Sequence, residues 1–305
     1  MGVPRGVVRL LLEEAKARPF SGSVLQLGKM SIYCTQRELE TWAREQGVAL
    51  AQGVTPELSH DPALARLGCL SDRSFFQLLG FSEVRSCDFS DWEGADLILD
   101  LNGDVPAELV GRFDVVFEAG TIQHVFHLPN VLRNVHRLLE VGGRVIHGMV
   151  PSSNHVDHGF YMFSPTLFWD YYTANGYRLE SEYFFEFLPA WFGGKLASGR
   201  WKIYRYEPGC LDHLSYGRFG GRQLGIFVVA TKTPEASCDV IPQQGYFVRF
   251  WRQPAALEPS ARGVALERFL IGRPALLAVY LLTKRLRERI RRLLPRKMPP
   301  VVARF

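Results

Sequence analysis

This 305-residue chain predicts an α/β fold with a doubly wound, mostly parallel sheet. Three observations carry that prediction. Short apolar runs of strand length alternate with helix-length segments, as crossover helices require between parallel strands. Acids recur at the ends of successive runs, at Asp88, Asp100 and Glu118. The first run stops at Gly28 and the one ending in Glu118 is closed by Ala119-Gly120. Right-handed crossovers bring such ends to one edge of the sheet, where folds of this class bind ligands.

The elements follow in order. Residues 1–20 hold Arg5, Arg9, Glu13, Glu14, Lys16 and Arg18, too much charge for a signal peptide, and read as a short surface helix. Ser23 to Leu27 is a buried parallel strand ahead of a ligand-facing turn. Gln36 to Gln46 is helical, and residues 47–70 are an irregular connection of a length that marks either mobility or function. Ser71-Asp72 caps a helix that ends at Gly80. Strands follow at Val84 to Asp88, Ala95 to Asp100 and Phe113 to Glu118. A helix from Pro129 to Leu139 stops at Gly142-Gly143, and a strand from Arg144 to Met149 is ended by Pro151. Thr166 to Ala174 is helical, and Tyr183 to Phe187 and Leu224 to Thr231 close the sheet. Between the last two lies an aromatic, glycine-rich excursion at about 188–222. There Trp191, Trp201 and Tyr204 sit among Gly193, Gly194, Lys195 and Arg200 and read as a lid or pocket wall.

Charge is unevenly spread. Of the net +5, residues 284–305 carry nine basic side chains against Glu288, which leaves the rest at −3. The basicity belongs to the tail, and an acidic body argues against a nucleic-acid partner. Leu282, Leu286, Ile290 and Leu293 recur at helical spacing between arginines. That segment is either a helix docked on the domain or an interfacial helix drawn to anionic lipid. Phe269 to Leu282 is apolar but too short to span, and Arg273-Pro274 interrupts it. Five scattered cysteines without a C-x-x-C pair suggest neither a disulfide framework nor a zinc site, and fit a reducing cytoplasm.

The run from Phe113 to Phe126 (FDVVFEAGTIQHVF), followed by Leu138 to Val145 (LLEVGGRV), resembles the central part of class I, Rossmann-like S-adenosylmethionine (SAM) methyltransferases, especially the methyltransferase type 11 group. Asp88 to Ala95, Asp100 to Asn102 and Asp157 to Pro165 are similar to a branch of that superfamily, and the resemblance covers residues 21–233. It implies SAM as cofactor, an antiparallel closing strand, and a domain at 21–233 between an N-terminal helix (1–20) and a basic helical tail (234–305). It also implies roles. The backbone at Gly28 approaches the methionine part, Asp88 accepts from the ribose hydroxyls, Asp100 and Leu101 contact adenine, and Glu118 to Gly120 lie beside the sulfonium. Against the family pattern, Gln26 stands at the acid position, Met30 and Ile32 stand where further glycines belong, and Gln123 replaces a common Glu. Lys29 is then a partner for the cofactor's carboxylate.

Each residue also has a plainer reading. Asp88 and Asp100 are ordinary cap or turn acids, and Glu118 is a buried acid paired with Lys29 or an arginine. His155, Asp157 and His158 lack a recognised metal spacing, so no metal site is expected. His158, then His155, are the candidate general bases, because the segment after Met149 falls on the acceptor side. His124 and His127 are packing or rim residues. The expected activity is methyl transfer to an oxygen, or a nitrogen, of a small molecule or glycan. The competing reading is a pseudo-methyltransferase acting as a binding or membrane-associated scaffold. A nicotinamide dehydrogenase is disfavoured because G-x-G-x-x-G is absent.

Overall fold

The computed structural model describes residues 2–187, 201–211, 214, 222–252, 261–293 and 298–305. The chain divides into two compact units, one of Met1–Glu207, Arg222–Pro242 and Pro300–Phe305, the other of Pro208–Gly221 and Gln243–Pro299. In the first unit the order is β1 (Gly2–Val3), α1 (Arg5–Ala17), β2 (Ser23–Leu27), β3 (Ser31–Ile32), α2 (Gln36–Gln46), α3 (Pro62–Arg66), α4 (Asp72–Leu79) and β4 (Glu83–Asp88). Then come β5 (Leu97–Ile98), β6 (Phe113–Glu118), α5 (Leu128–Leu138), β7 (Leu139–Ser153), α6 (Pro165–Ala174), β8 (Arg178–Phe187), β9 (Lys202–Arg205), β10 (Gln223–Thr231) and β11 (Val301–Arg304).

Among the described residues the main sheet runs β5-β4-β2-β6-β7-β10-β8-β9-β11. Pairing is parallel from β5 to β7 and antiparallel from β10 onward. The chain thus starts in mid-sheet at β2, builds outward to β5, and returns to the other side at β6. That reversal opens a crevice at the strand ends.

Burial on both faces explains the near-continuous apolar strands. In β6, Val115 and Phe117 face one core with α1, α2 and α4, while Val116 faces the other with α5 and α6. Helix ends obey local chemistry. Thr35 and Glu38 form a capping box on α2, and Gly47 and Gly80 take left-handed conformations after α2 and α4.

Several expectations are corrected. The N-terminal helix is not on the surface: Val7, Val8, Leu11, Leu12 and Ala15 are buried. Apart from the buried Glu14, its charges recur every three or four residues along one stripe, where Arg5 and Arg9 pair with Glu38 and Glu45 of α2. The excursion does not supply a lid at its described end. Trp201 and Tyr204 are 2% exposed, stacked on Phe185 and Phe184 at centroid distances of 4.4 and 4.9 Å. Gly6 lies against Trp201, where a Cβ would come within 2.1 Å of the indole. Trp191 and residues 193–195 and 200 lie outside the described residues. Helix α5 ends at Leu138 rather than at the glycine pair, and β7 runs through Pro151 to Ser153. The expected strand Ala95 to Asp100 keeps only Leu97–Ile98. Residues 47–70 are tied down, with Ser59 N donating to Cys69 O at 2.9 Å and Ser71 N to Glu57 O at 2.8 Å. The tail is not helical to its end, because β11 pairs with β9.

The second unit holds α7 (Gly245–Arg252), α8 (Ala261–Ile271) and α9 (Pro274–Leu293). Between α8 and α9, Arg273 donates to Phe269 O at 3.0 Å and its guanidinium lies 4.0 Å from the Phe269 ring centroid.

On β8, Glu182 is 3% exposed and, among the described residues, neither carboxyl oxygen has a hydrogen-bond partner. Burial, and secondarily the charge of Asp170, push its pKa up to about 9. The folded protein therefore holds a proton that the unfolded chain releases above the ordinary value of 4.5. Stability from this group is complete below about pH 4.5 and declines as pH rises toward about 9, by on the order of 3 kcal/mol at pH 7. Glu182→Gln should remove that slope. In thermal melts its Tm advantage over wild type should grow from about pH 5 to about pH 8.

Candidate functional site

The candidate site lies where β2, β4, β5 and β6 end. A cleft of about 470 Å³ is lined there by Gly28, Asp88, Phe89, Trp92, Asp100 to Asn102, Thr121 and His124, among others. That volume falls in the usual range for a small-molecule site.

At the β2 exit, Gly28 has φ +88° and donates its N–H to Cys87 O at 2.7 Å, so the turn is locked onto β4. Lys29 N donates to Asp88 Oδ2 at 3.3 Å, and Phe89 N to Asp88 Oδ1 at 2.7 Å. Each carboxylate oxygen of Asp88 keeps lone-pair capacity at the cleft. The Lys29 ammonium instead meets Asp72 Oδ2 at 2.9 Å, and Gln26 Nε2 donates to the same oxygen at 2.9 Å. An acid therefore does stand beside the first strand, supplied by α4. Met30 and Ile32 are fully buried, and their backbone leads into the β1–β3 pair instead of along the cleft.

At the β5 exit, Asp100 Oδ1 accepts from Asn102 N and Nδ2, both at 2.9 Å. From α5, Asn134 donates to the carbonyls of Leu101 and Gly103 at 3.2 and 2.7 Å, and Asn130 to Gly103 at 2.6 Å. The turn is held from beneath. Asp96 accepts from Ser86 N at 2.8 Å and pairs with Arg73; burial opposes ionisation, but these hydrogen bonds outweigh it and lower its pKa.

Glu118 and Gly120 lie outside the cleft lining. Glu118 is 1% exposed; Oε2 accepts from Gly120 N and Thr121 N at 3.0 and 3.1 Å, and Oε1 meets His147 Nδ1 at 3.0 Å. Its partner is thus a histidine rather than Lys29 or an arginine. His147 Nε2 lies 2.7 Å from the Tyr172 hydroxyl, and burial holds that phenol protonated. The protonated Tyr172 hydroxyl donates to Nε2, which leaves Nδ1 to donate to Glu118. Thr121 Oγ1 donates to Leu27 O, joining the β6 and β2 exits.

The segment after β7 turns on Asn154 (φ 57°), Asp157 (φ 61°) and Gly159 (φ 115°). It is tied back by Phe160 N donating to Gln123 O at 2.7 Å. His158 is exposed and its ring lies 5.3 Å from that of His124, which lines the cleft; His155 is half-buried, 6.3 Å from His158. Burial lowers the pKa of His155 and of His124, with His158 adding to both shifts. His124 is thus a rim residue in contact with the predicted base.

Of the residues expected at the site, Gly28, Asp88, Asp100 and Leu101 line one cleft; Phe89, Trp92 and Thr121 line it too, and the Asn130–Asn134 pair supports it, though none of these was expected. Two signals were available. Phe89 and Trp92 follow the acid in a polar loop, and they are 72% and 91% exposed. Asn130 and Asn134 stand four apart on a helix whose other inward residues are apolar.

No family model matches the chain, and no curated protein matches it. Solved structures do. A SAM-dependent methyltransferase of Methanococcus maripaludis is 14% identical, with a TM-score of 0.26 over 47% of this chain and 55% of that one. The chain thus spans about half of that protein's length. The 1,6-didemethyltoxoflavin-N1-methyltransferase of Burkholderia thailandensis is 15% identical, with a TM-score of 0.36 over 75% of this chain and 77% of that one. A SAM-dependent methyltransferase of Archaeoglobus fulgidus is 12% identical, with a TM-score of 0.36 over 75% and 94%. With such low scores the fold assignment rests on strand order and the antiparallel closure at β10. The fold is Rossmann-like. Rossmann-like sheets place ligands at the β2–β6 reversal, which is where the cleft opens.

Glu118→Ala would strand two buried N–H groups and one face of His147. It should cost roughly 3 kcal/mol or more, seen as a lower urea midpoint at unchanged slope, while Glu118→Gln, which keeps an acceptor, should cost less.

Proposed function

We propose that the chain is a SAM-dependent methyltransferase acting on an oxygen, or less readily a nitrogen, of a small molecule or glycan. The observation that carries this reading is the cleft-facing carboxylate of Asp88, set between the Gly28 turn and the pinned turn at Asp100 to Asn102. The donor set fits the cofactor. Asp88 retains acceptor capacity for two ribose hydroxyls, the Asp100–Leu101 backbone offers an adenine edge its partners, and Phe89 and Trp92 present flat apolar faces to a purine. Gly28 and the Lys29 backbone bound the methionine end, and the Lys29 ammonium, held by Asp72, steadies that turn. Glu118 and Gly120 act at one remove, by shaping the exit that brings Thr121 to the cleft.

When bound, SAM supplies a methyl group on a cationic sulfur. The chain must hold the acceptor in line and take its proton. We assign that proton to the imidazole cluster, with His158 first, His155 behind it and His124 on the cleft wall between them and the cofactor. The lowered pKa of His124 keeps that ring neutral at pH 7 and able to accept.

One observation favours the competing reading of a pseudo-methyltransferase. The loop after Gly28 turns into the core at Met30 and Ile32 and leaves the methionine end with few backbone contacts. Calorimetric titration with SAM and with its demethylated product separates the two, and absence of binding would favour the scaffold. In the same experiment Asp88→Ala should bind SAM at least about tenfold more weakly with little loss of Tm, since charge-assisted hydrogen bonds are worth about 1.5–3 kcal/mol.

The chemistry is tested by turnover. His158→Ala should bind SAM normally and lose roughly 10²–10⁴ in rate, and wild-type rate should rise with pH through a histidine titration. If His124 is the base instead, that rise should fall below the ordinary value of 6.5 and vanish in His124→Ala.

A further inference from the structure

Helix α9 is divided end to end. Pro274 to Thr283 (PALLAVYLLT) carries no charge, whereas Lys284 to Leu293 (KRLRERIRRL) carries six basic residues and one acid. Its apolar half is exposed around the helix: Val279 is 57% and Leu282 62% exposed, and Leu276, Tyr280 and Leu281 are exposed on the remaining sides. In α8, Phe269 and Ile271 are exposed as well. Water does not suit a helix that is apolar all round, since such a helix is normally covered.

We propose that α8 and α9 dock the protein on an anionic lipid bilayer. The apolar half of α9 enters one leaflet at an angle, and its basic half stays among the headgroups. Three observations select this occupant. Ten residues rise about 15 Å, half of a hydrocarbon core of about 30 Å, so the apolar segment suits one leaflet. No helix among the described residues is long and apolar enough to cross a membrane. The charge change falls within one continuous helix, at Lys284, where an acyl region meets phosphates. Against a second copy of the chain, two basic halves packed side by side repel. A nucleic acid would take the basic half and leave the apolar half in water. Arg273, at the inserted end, has its guanidinium on the Phe269 ring and donating to the Phe269 carbonyl, which offsets part of the cost of placing that charge there. The sequence left open a helix docked on the domain or an interfacial helix drawn to anionic lipid, both read from an apolar stripe. The structure separates the two characters by ends instead of by faces, and that favours partial insertion. This inference is independent of the methyltransferase reading.

The test is flotation of the full chain with vesicles of phosphatidylcholine alone or with about one third phosphatidylglycerol. The protein should float with the anionic vesicles at low salt, hardly with the neutral ones, and should detach as salt rises from about 0.05 to 0.5 M. Combined Arg285→Gln, Arg287→Gln and Arg289→Gln should weaken partitioning about 100-fold, at about fivefold per charge. Leu281→Glu should weaken it at least about tenfold and leave the salt slope in place, because insertion rather than attraction is lost. Thermal melts confirm that both variants fold. Any of four results overturns the proposal: no flotation at low salt, equal binding to neutral vesicles, no effect of the three glutamines, or a dimer in light scattering that Leu281→Glu dissociates. SAM titration of the same variants should be unchanged, which keeps this outcome separate from that of the proposed activity.

Discussion

The buried carboxylate of Glu118 is the interaction on which the ligand-facing edge depends. It ends β6, where the chain must leave the sheet with its backbone donors unpaired, and it accepts two of them. Through His147 and Tyr172 the same carboxylate reaches β7 and α6, so three elements share one polar chain inside an apolar core. Such a chain is stable only when every member is satisfied. A fixed β6 exit positions Thr121, Thr121 ties that exit to β2, and the β2 turn is locked in turn to β4. The cleft is the space these ties leave.

Much of this was legible in the residues. Alternation of apolar runs and helical segments located α2 and α4 closely, because helix ends such as the Ser71 cap and the Gly80 stop of α4 are local chemistry. Of the recurrent acids, Asp88 and Asp100 do line the cleft, whereas Glu118 is held inside by His147, a partner its place at a strand end does not reveal. What was not legible depends on partners far along the chain. Asp72 supplies a charge beside Gln26 from 46 residues away. Trp201 is a core residue only because Gly6 leaves room for its ring. Composition around Trp201 resembles that of a lid, and no local pattern reveals such a contact.

The departures of the glycine loop acquire a physical account. Met30 and Ile32 are fully buried, so the residues at those positions serve packing, and the chain beyond Gly28 pairs with the start of the molecule through β1 and β3. On this side the cleft is bounded by the Gly28 turn. The β2 side of the cleft is therefore built from fewer groups than the side formed at β4 and β5.

The β9–β11 pairing also bears on how the protein is made. Trp201 and Phe305 exchange backbone hydrogen bonds of 3.0 and 3.2 Å, so the last residues complete an edge begun about a hundred residues earlier. On the ribosome β9 must wait for that partner, its outer edge open to other strands. Helices α7 to α9 are synthesised in the interval. The helices of the second unit are therefore made before the sheet of the first can be completed at β11.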